Sequence, residues 1–156
     1  MLEHAKLRFL SYSNLVVNVD IDELILSKEN KTLSEHVNES TSGAIIFSGV
    51  WIQNIREKEQ TVPKYSDFKY IDIRKGKPAK KWVLDPSRCD KEIQWNLHSF
   101  SKEFAPDEVD NVELKHFTGI TPNWRNIEFR KEKKFNPEFN FIDKELVKTF
   151  EKVFFD

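Results

Sequence analysis

Apolar residues recur at helical spacing at Leu2, Ala5, Phe9 and Leu10 and then give way to Ser11-Tyr12-Ser13-Asn14, which predicts an opening helix closed by a polar turn. The run Leu15-Val16-Val17-Asn18-Val19 follows and predicts a short buried strand. Lys31 to Val37 suits a short helix. Ser42-Gly43 then turns the chain into the β-branched and aromatic run Ala44 to Trp51, expected as one strand. Helix, strand, helix, strand is the order of an α/β organisation in which at least part of the sheet is parallel.

From Gln53 to Gly76 the pattern turns polar and irregular, with Pro63, Gly76 and Pro78 as punctuation, so a long excursion is expected there. Short strands are predicted over Phe68 to Ile73, Lys81 to Leu84 and Val112 to Phe117. Pro122 suits a first helical turn ahead of a helix over Trp124 to Lys134. A last helix, about Asp143 to Phe155, carries Leu146, Val147, Phe150, Val153 and Phe154 on one face with lysines between them. No internal repeat, linker or low-complexity stretch interrupts this order.

Composition narrows the class. At 156 residues the chain suits one domain with a core of its own, and an aromatic content of 13% excludes a disordered tail. Lys plus Arg number 25 and Asp plus Glu 26, so the net charge of -1 draws neither nucleic acid nor an anionic membrane from a distance. A single cysteine, Cys89, excludes an internal disulfide framework and a cysteine zinc site, and suits a reducing compartment, with the cytoplasm as the default. No apolar stretch approaches the roughly 20 residues of a membrane span. Met1-Leu2-Glu3-His4 has neither the basic start nor the apolar core of a signal peptide. Work at the inner membrane surface stays open.

The most informative chemistry is Asp20-Ile21-Asp22-Glu23, set directly after the apolar strand. Carboxylates so placed repel one another unless a cation or hydrogen bonds compensate them, and they offer hard oxygen ligands to a divalent cation and the phosphates it bridges. The bland reading is a solvated loop or a helix cap. His116 falls on the same face of its strand as Val112 and Leu114 and, near the strand's end, is a candidate imidazole for a carboxylate-bound metal. His98, between Leu97 and Ser99 and near Trp95 and Phe100, suits either a packed ring or a contact to a hydroxyl-rich substrate. Most of the lysine run Lys75, Lys77, Lys80 and Lys81 reads as solvated face, yet Lys80 or Lys81, entering a strand near the acidic cluster, suits neutralisation of a diphosphate. Trp51, Trp82, Trp95 and Trp124 read as core or rim, since no basic groove accompanies them as a nucleic-acid platform would require.

Taken together, Leu15 to Leu24, then Lys80-Lys81-Trp82-Val83-Leu84-Asp85-Pro86, then Asn96-Leu97-His98, then Leu114-Lys115-His116-Phe117 and a tryptophan-arginine helix resemble glycosyltransferases of the GT-A fold. The pattern is most similar to the family 2 and family 92 types, including bacterial enzymes of capsule or lipopolysaccharide synthesis, and it extends over roughly Leu7 to Arg130. The resemblance implies transfer of a sugar from a nucleotide-sugar donor to a hydroxyl of a glycan acceptor. It implies Mn2+ or Mg2+ held against the donor diphosphate, with Asp22 as main ligand, Asp20 contacting ribose or metal, and His116 as third protein ligand. Glu23, His98 and Lys81 would face the donor or acceptor. For a general base it points to no residue; Asp85 and Glu92 are the candidates.

In such enzymes a Rossmann-like half of roughly one hundred residues precedes the acidic motif, whereas here the motif arrives at residue 20. The resemblance therefore implies an α/β, partial GT-A-like mixed sheet flanked by helices and truncated on its N-terminal side. The edge this leaves suits a partner subunit or self-association. Two other classes stay open. One is a haloacid-dehalogenase-like phosphatase using Asp20 and Asp22, although Glu23 stands where that signature carries a small or hydroxyl residue. The other is a non-catalytic carbohydrate-binding or assembly module.

Overall fold

A computed structural model of the chain describes residues 2–57, 62–121 and 128–154. In chain order the elements are α1 (Leu2–Arg8), a 3-10 turn at Leu10–Tyr12, β1 (Val16–Val17), β2 (Glu23–Ser27), α2 (Leu33–Glu39), β3 (Ala44–Phe47) and β4 (Gly49–Ile52). They continue with a 3-10 turn at Tyr65–Asp67, β5 (Tyr70–Asp72), β6 (Lys81–Leu84), β7 (Asp107–Glu108), β8 (Val112–Phe117), a 3-10 turn at Glu128–Arg130, β9 (Asn140–Ile142) and α3 (Lys144–Phe154). The fold is mixed α/β, as the pattern predicts. The chain divides into two compact units, Met1–Gly49 with Ala79–Leu114, and Val50–Pro78 with Lys115–Asp156.

The first unit is built on a four-stranded sheet in the order β1-β6-β3-β7. β6 runs antiparallel to both β1 and β3, and β3 runs parallel to β7. The central strands are covered on both faces, which is why they read as unbroken apolar runs. Ala44, Ile46, Trp82 and Leu84 point to one side, where Trp95 and Phe100 complete the core. Ile45, Phe47 and Val83 point to the other, against Val37, Val112 and Leu114. The Trp82 ring lies 5.0 Å from that of Phe100 and 5.7 Å from that of Trp95. Its indole N–H donates to the Asn96 carbonyl at 2.9 Å, so this buried ring keeps its polar atom satisfied.

α2 forms because its start is fully capped. The Thr32 hydroxyl accepts from the Glu35 N–H, and the Glu35 carboxylate accepts from the Thr32 N–H at 2.7 Å. At its other end the Arg88 guanidinium donates to the carbonyls of Val37 and Ser40 at 2.6 and 2.7 Å, satisfying groups that a helix C-terminus leaves over.

In the second unit β4, β5 and β9 follow one another, with β5 antiparallel to both neighbours. Asp143 accepts from the Leu146 N–H at 3.0 Å and so caps α3, while its other oxygen takes the buried Lys115 ammonium at 2.6 Å.

Several expectations are corrected. The run Ala44 to Trp51 is two strands, β3 and β4, broken at Ser48. The cause is a close approach: a β-carbon on Gly49 would lie 1.7 Å from the Leu114 carbonyl oxygen, so the chain changes sheet where only glycine fits. β2, β7 and β9 were not predicted. The strand expected over Leu15 to Val19 pairs only at Val16–Val17. Of the helix expected over Trp124 to Lys134, residues 124–127 lie outside the described residues, and the part described holds only the turn Glu128–Arg130. Among the described residues no helix is long and apolar enough to cross a membrane.

Candidate active site

β1 delivers the chain to the acidic turn, and β2 leaves from it. Within the turn the Glu23 N–H donates to the Asp20 carbonyl at 3.2 Å, and the Asp20 N–H donates to the Glu23 carboxylate at 2.8 Å. The first residue of β6, Lys81, reaches into this turn from the neighbouring strand. Its ammonium stands 2.8 Å from Asp20 Oδ2 and 3.2 Å from Glu23 Oε2.

Burial divides the roles. The Lys81 and Glu23 side chains are each 1% exposed, whereas that of Asp20 is 51% exposed. A buried lysine and a buried carboxylate this close must pair, because either alone would carry the full cost of an unsolvated charge. Glu23 and Lys81 therefore form an internal ion pair, and Asp20 is the carboxylate that the turn presents to solvent. Asp22 is buried.

The segment carrying His98 is tied to the same end of β6. Asn18 donates its side-chain amide to the Leu97 carbonyl, and its backbone N–H to the Trp82 carbonyl. His98 Nδ1 lies 3.1 Å from the Lys80 carbonyl oxygen. A carbonyl only accepts, so Nδ1 donates to it. Asn18 had no place among the expected site residues. Its signal in the sequence is that it is the one polar residue inside an otherwise apolar strand.

The other candidates have neighbours of their own. His116 belongs to the second unit, where its ring lies 4.3 Å from that of Trp51 and its Nε2 is 3.2 Å from an Arg130 guanidinium nitrogen. Asp85 uses Oδ1 to hold the Ser87 N–H and hydroxyl at 2.9 and 2.7 Å, closing the turn after β6. Glu92 lies on the rim of an open hollow of about 550 Å3, together with Asn96 and Ser99, which flank His98 by two residues and one. Lys80 pairs with Glu108 at 2.7 Å.

Among the described residues no three His, Cys, Asp or Glu side chains are grouped as a metal centre. The donor set at the acidic turn still suits a hard divalent cation of the kind that takes one or two carboxylates and completes its shell with substrate phosphates and water. Asp20 supplies an exposed carboxylate.

The sequence profile of glycosyltransferase family 92 matches residues 2–153. No curated protein matches the chain. The acidic turn after β1 and the lysine that enters it both lie inside a match that spans nearly every described residue, so the chain belongs to glycosyltransferase family 92 and is a glycosyltransferase-like enzyme.

Proposed function

We propose that the chain transfers a sugar from a nucleotide-sugar donor to a hydroxyl of a glycan acceptor, in a reaction assisted by Mn2+ or Mg2+. The observation that carries this reading is the acidic turn, in which Lys81 and Glu23 pair internally and leave Asp20 facing solvent. Asp20 and Asp22 are the residues that would hold the cation, the rest of its shell being donor phosphate oxygens and water. Bound there, the ion would supply Lewis acidity toward the leaving diphosphate. Lys81 holds Asp20 in position and keeps the local field from repelling a phosphate. The anomeric carbon–oxygen bond to the diphosphate breaks, the acceptor oxygen bonds to the anomeric carbon, and the hydroxyl proton passes to a carboxylate. Glu92, exposed on the hollow that Asn96 and Ser99 also line, is the carboxylate assigned to that role. A role in bacterial surface polysaccharide synthesis, in the cytoplasm at the inner membrane surface, is consistent with this chemistry. Family membership favours transfer over the phosphatase and module readings.

Calorimetric titration with UDP and with GDP, each with and without Mn2+, tests the proposal. Metal-dependent binding of one nucleotide is expected, weakened at least tenfold in Asp20→Asn. Binding that neither Mn2+ nor Asp20→Asn alters would remove the acidic turn from the donor site.

A further inference from the structure

At the end of the β1–β6 pair away from the acidic turn lies a second open hollow, of about 460 Å3. The register Val16 opposite Leu84 places Asn14 and Leu15 beside the end of β6. Lys81 and Asp85 are separated by four residues of strand, so this hollow and the acidic turn are about 13 Å apart at ~3.3 Å per residue. Its lining comes from three places: Tyr12 and Asn14 after α1, Ser34 and Asn38 on one face of α2, and Asp85 after β6.

The chemistry of this lining is specific. Tyr12 is 86% exposed, so its ring offers an apolar face to anything in the hollow. The side chains of Tyr12, Asn14, Ser34 and Asn38 make no hydrogen bond to another described residue. Amides and hydroxyls each donate and accept, and Asp85 adds a carboxylate oxygen beyond the one that holds Ser87. Among the described residues no lysine, arginine or histidine lines the hollow itself, and the nearby Arg88 guanidinium is engaged with the carbonyls of Val37 and Ser40. The volume falls in the range of small-ligand sites. A flat aromatic face with unengaged amides and hydroxyls around it matches a neutral sugar, which has apolar ring faces and a rim of hydroxyls.

We propose that this hollow is a binding subsite for a neutral glycan, separate from the acidic turn. On the transferase reading it would hold a remote part of the acceptor chain. The binding itself does not depend on that reading.

Saturation-transfer NMR on the full chain tests it, with lactose, maltose, cellobiose and N,N′-diacetylchitobiose as probes and glycerol as control. At least one disaccharide should receive saturation where glycerol does not, with at least tenfold weaker binding in the variant carrying Tyr12→Ala and Asn38→Ala. Both residues are exposed, and circular dichroism of the variant confirms that it is folded. The signal should persist in Asp20→Asn. No saturation on any of the four sugars, an unchanged signal in the double variant, or a signal lost in Asp20→Asn would each overturn the subsite. Absence of nucleotide binding with sugar binding intact would instead count only against the donor site.

Discussion

Cys89 lies half-buried, with its sulfur 3.7 Å from the carbonyl oxygens of Ser42 and Gly43. Burial, reinforced by the Asp85 carboxylate, pushes its thiol up from 9.0 to about 11. The thiolate is the reactive form, so at pH 8 the folded protein should be alkylated by iodoacetamide about 100-fold more slowly than the chain in urea. Equal rates would show that the thiol is not shielded. The sign for stability follows: below pH 9 both states hold the proton, and between pH 9 and 11 the unfolded chain loses it first, so stability falls across that window. Cys89→Ala should remove that loss from the pH profile of thermal unfolding. Gly49 is a stricter position. Gly49→Ala forces a β-carbon against the Leu114 carbonyl oxygen, a backbone atom that cannot rotate away, and should lower stability by about 3 kcal/mol in urea unfolding. A change below about 0.5 kcal/mol would mean that the two segments separate freely.

At the scale of elements, contacts between remote parts of the chain decide what the pattern of apolar residues does not. β7 is two residues long and held from outside: the Asp107 carboxylate accepts from the Thr41 N–H at 2.9 Å and from the Thr41 hydroxyl and the Ser42 N–H. The Thr41 N–H holds that carboxyl below its ordinary value of 3.8, with Ser42 and the Thr41 hydroxyl helping. A lowered value stabilises the fold above pH 3.8 and ceases to do so as pH falls through the folded-state value. Asp107→Asn should therefore cost about 1 kcal/mol at pH 7 and leave a shallower acid limb, and an unaltered limb in acid-unfolding curves would contradict this. β6 and β8 are found over the predicted residues, and α3 within a residue of its predicted bounds, because a bounded apolar run or a helical stripe is a local signal. β2 was not legible because its apolar part, Leu24, Ile25 and Leu26, is only three residues long. The acidic turn and Lys81 were legible from their place at strand ends. The contact that holds His98 was not legible, since the carbonyl it meets lies eighteen residues away in the chain.

Over the molecule as a whole, each unit carries, among its described residues, a buried lysine paired with a buried carboxylate. In the first, Lys81 and Glu23 meet at the acidic turn, and in the second, Lys115 and Asp143 meet at the start of α3. Such pairs add little net stability against an apolar replacement, yet removing one partner strands the other and costs about 3–5 kcal/mol. The two pairs differ in what they serve. Lys81 also holds the exposed Asp20 carboxylate, so its charge belongs to the site. Asp143 also caps α3, so the Lys115 pair belongs to the fold of its own unit. Lys115→Met should therefore raise hydrogen exchange at the first turn of α3, at Leu146 and Val147, because an unpaired Asp143 turns toward water or takes up a proton and caps the helix less well. Adding Asp143→Asn should recover part of the loss, since a neutral amide keeps the cap acceptor without a buried charge. Unchanged exchange at Leu146 in Lys115→Met would show that the cap holds without its lysine, and an Asp143→Asn change that worsens it would show that the helix depends on the charge itself.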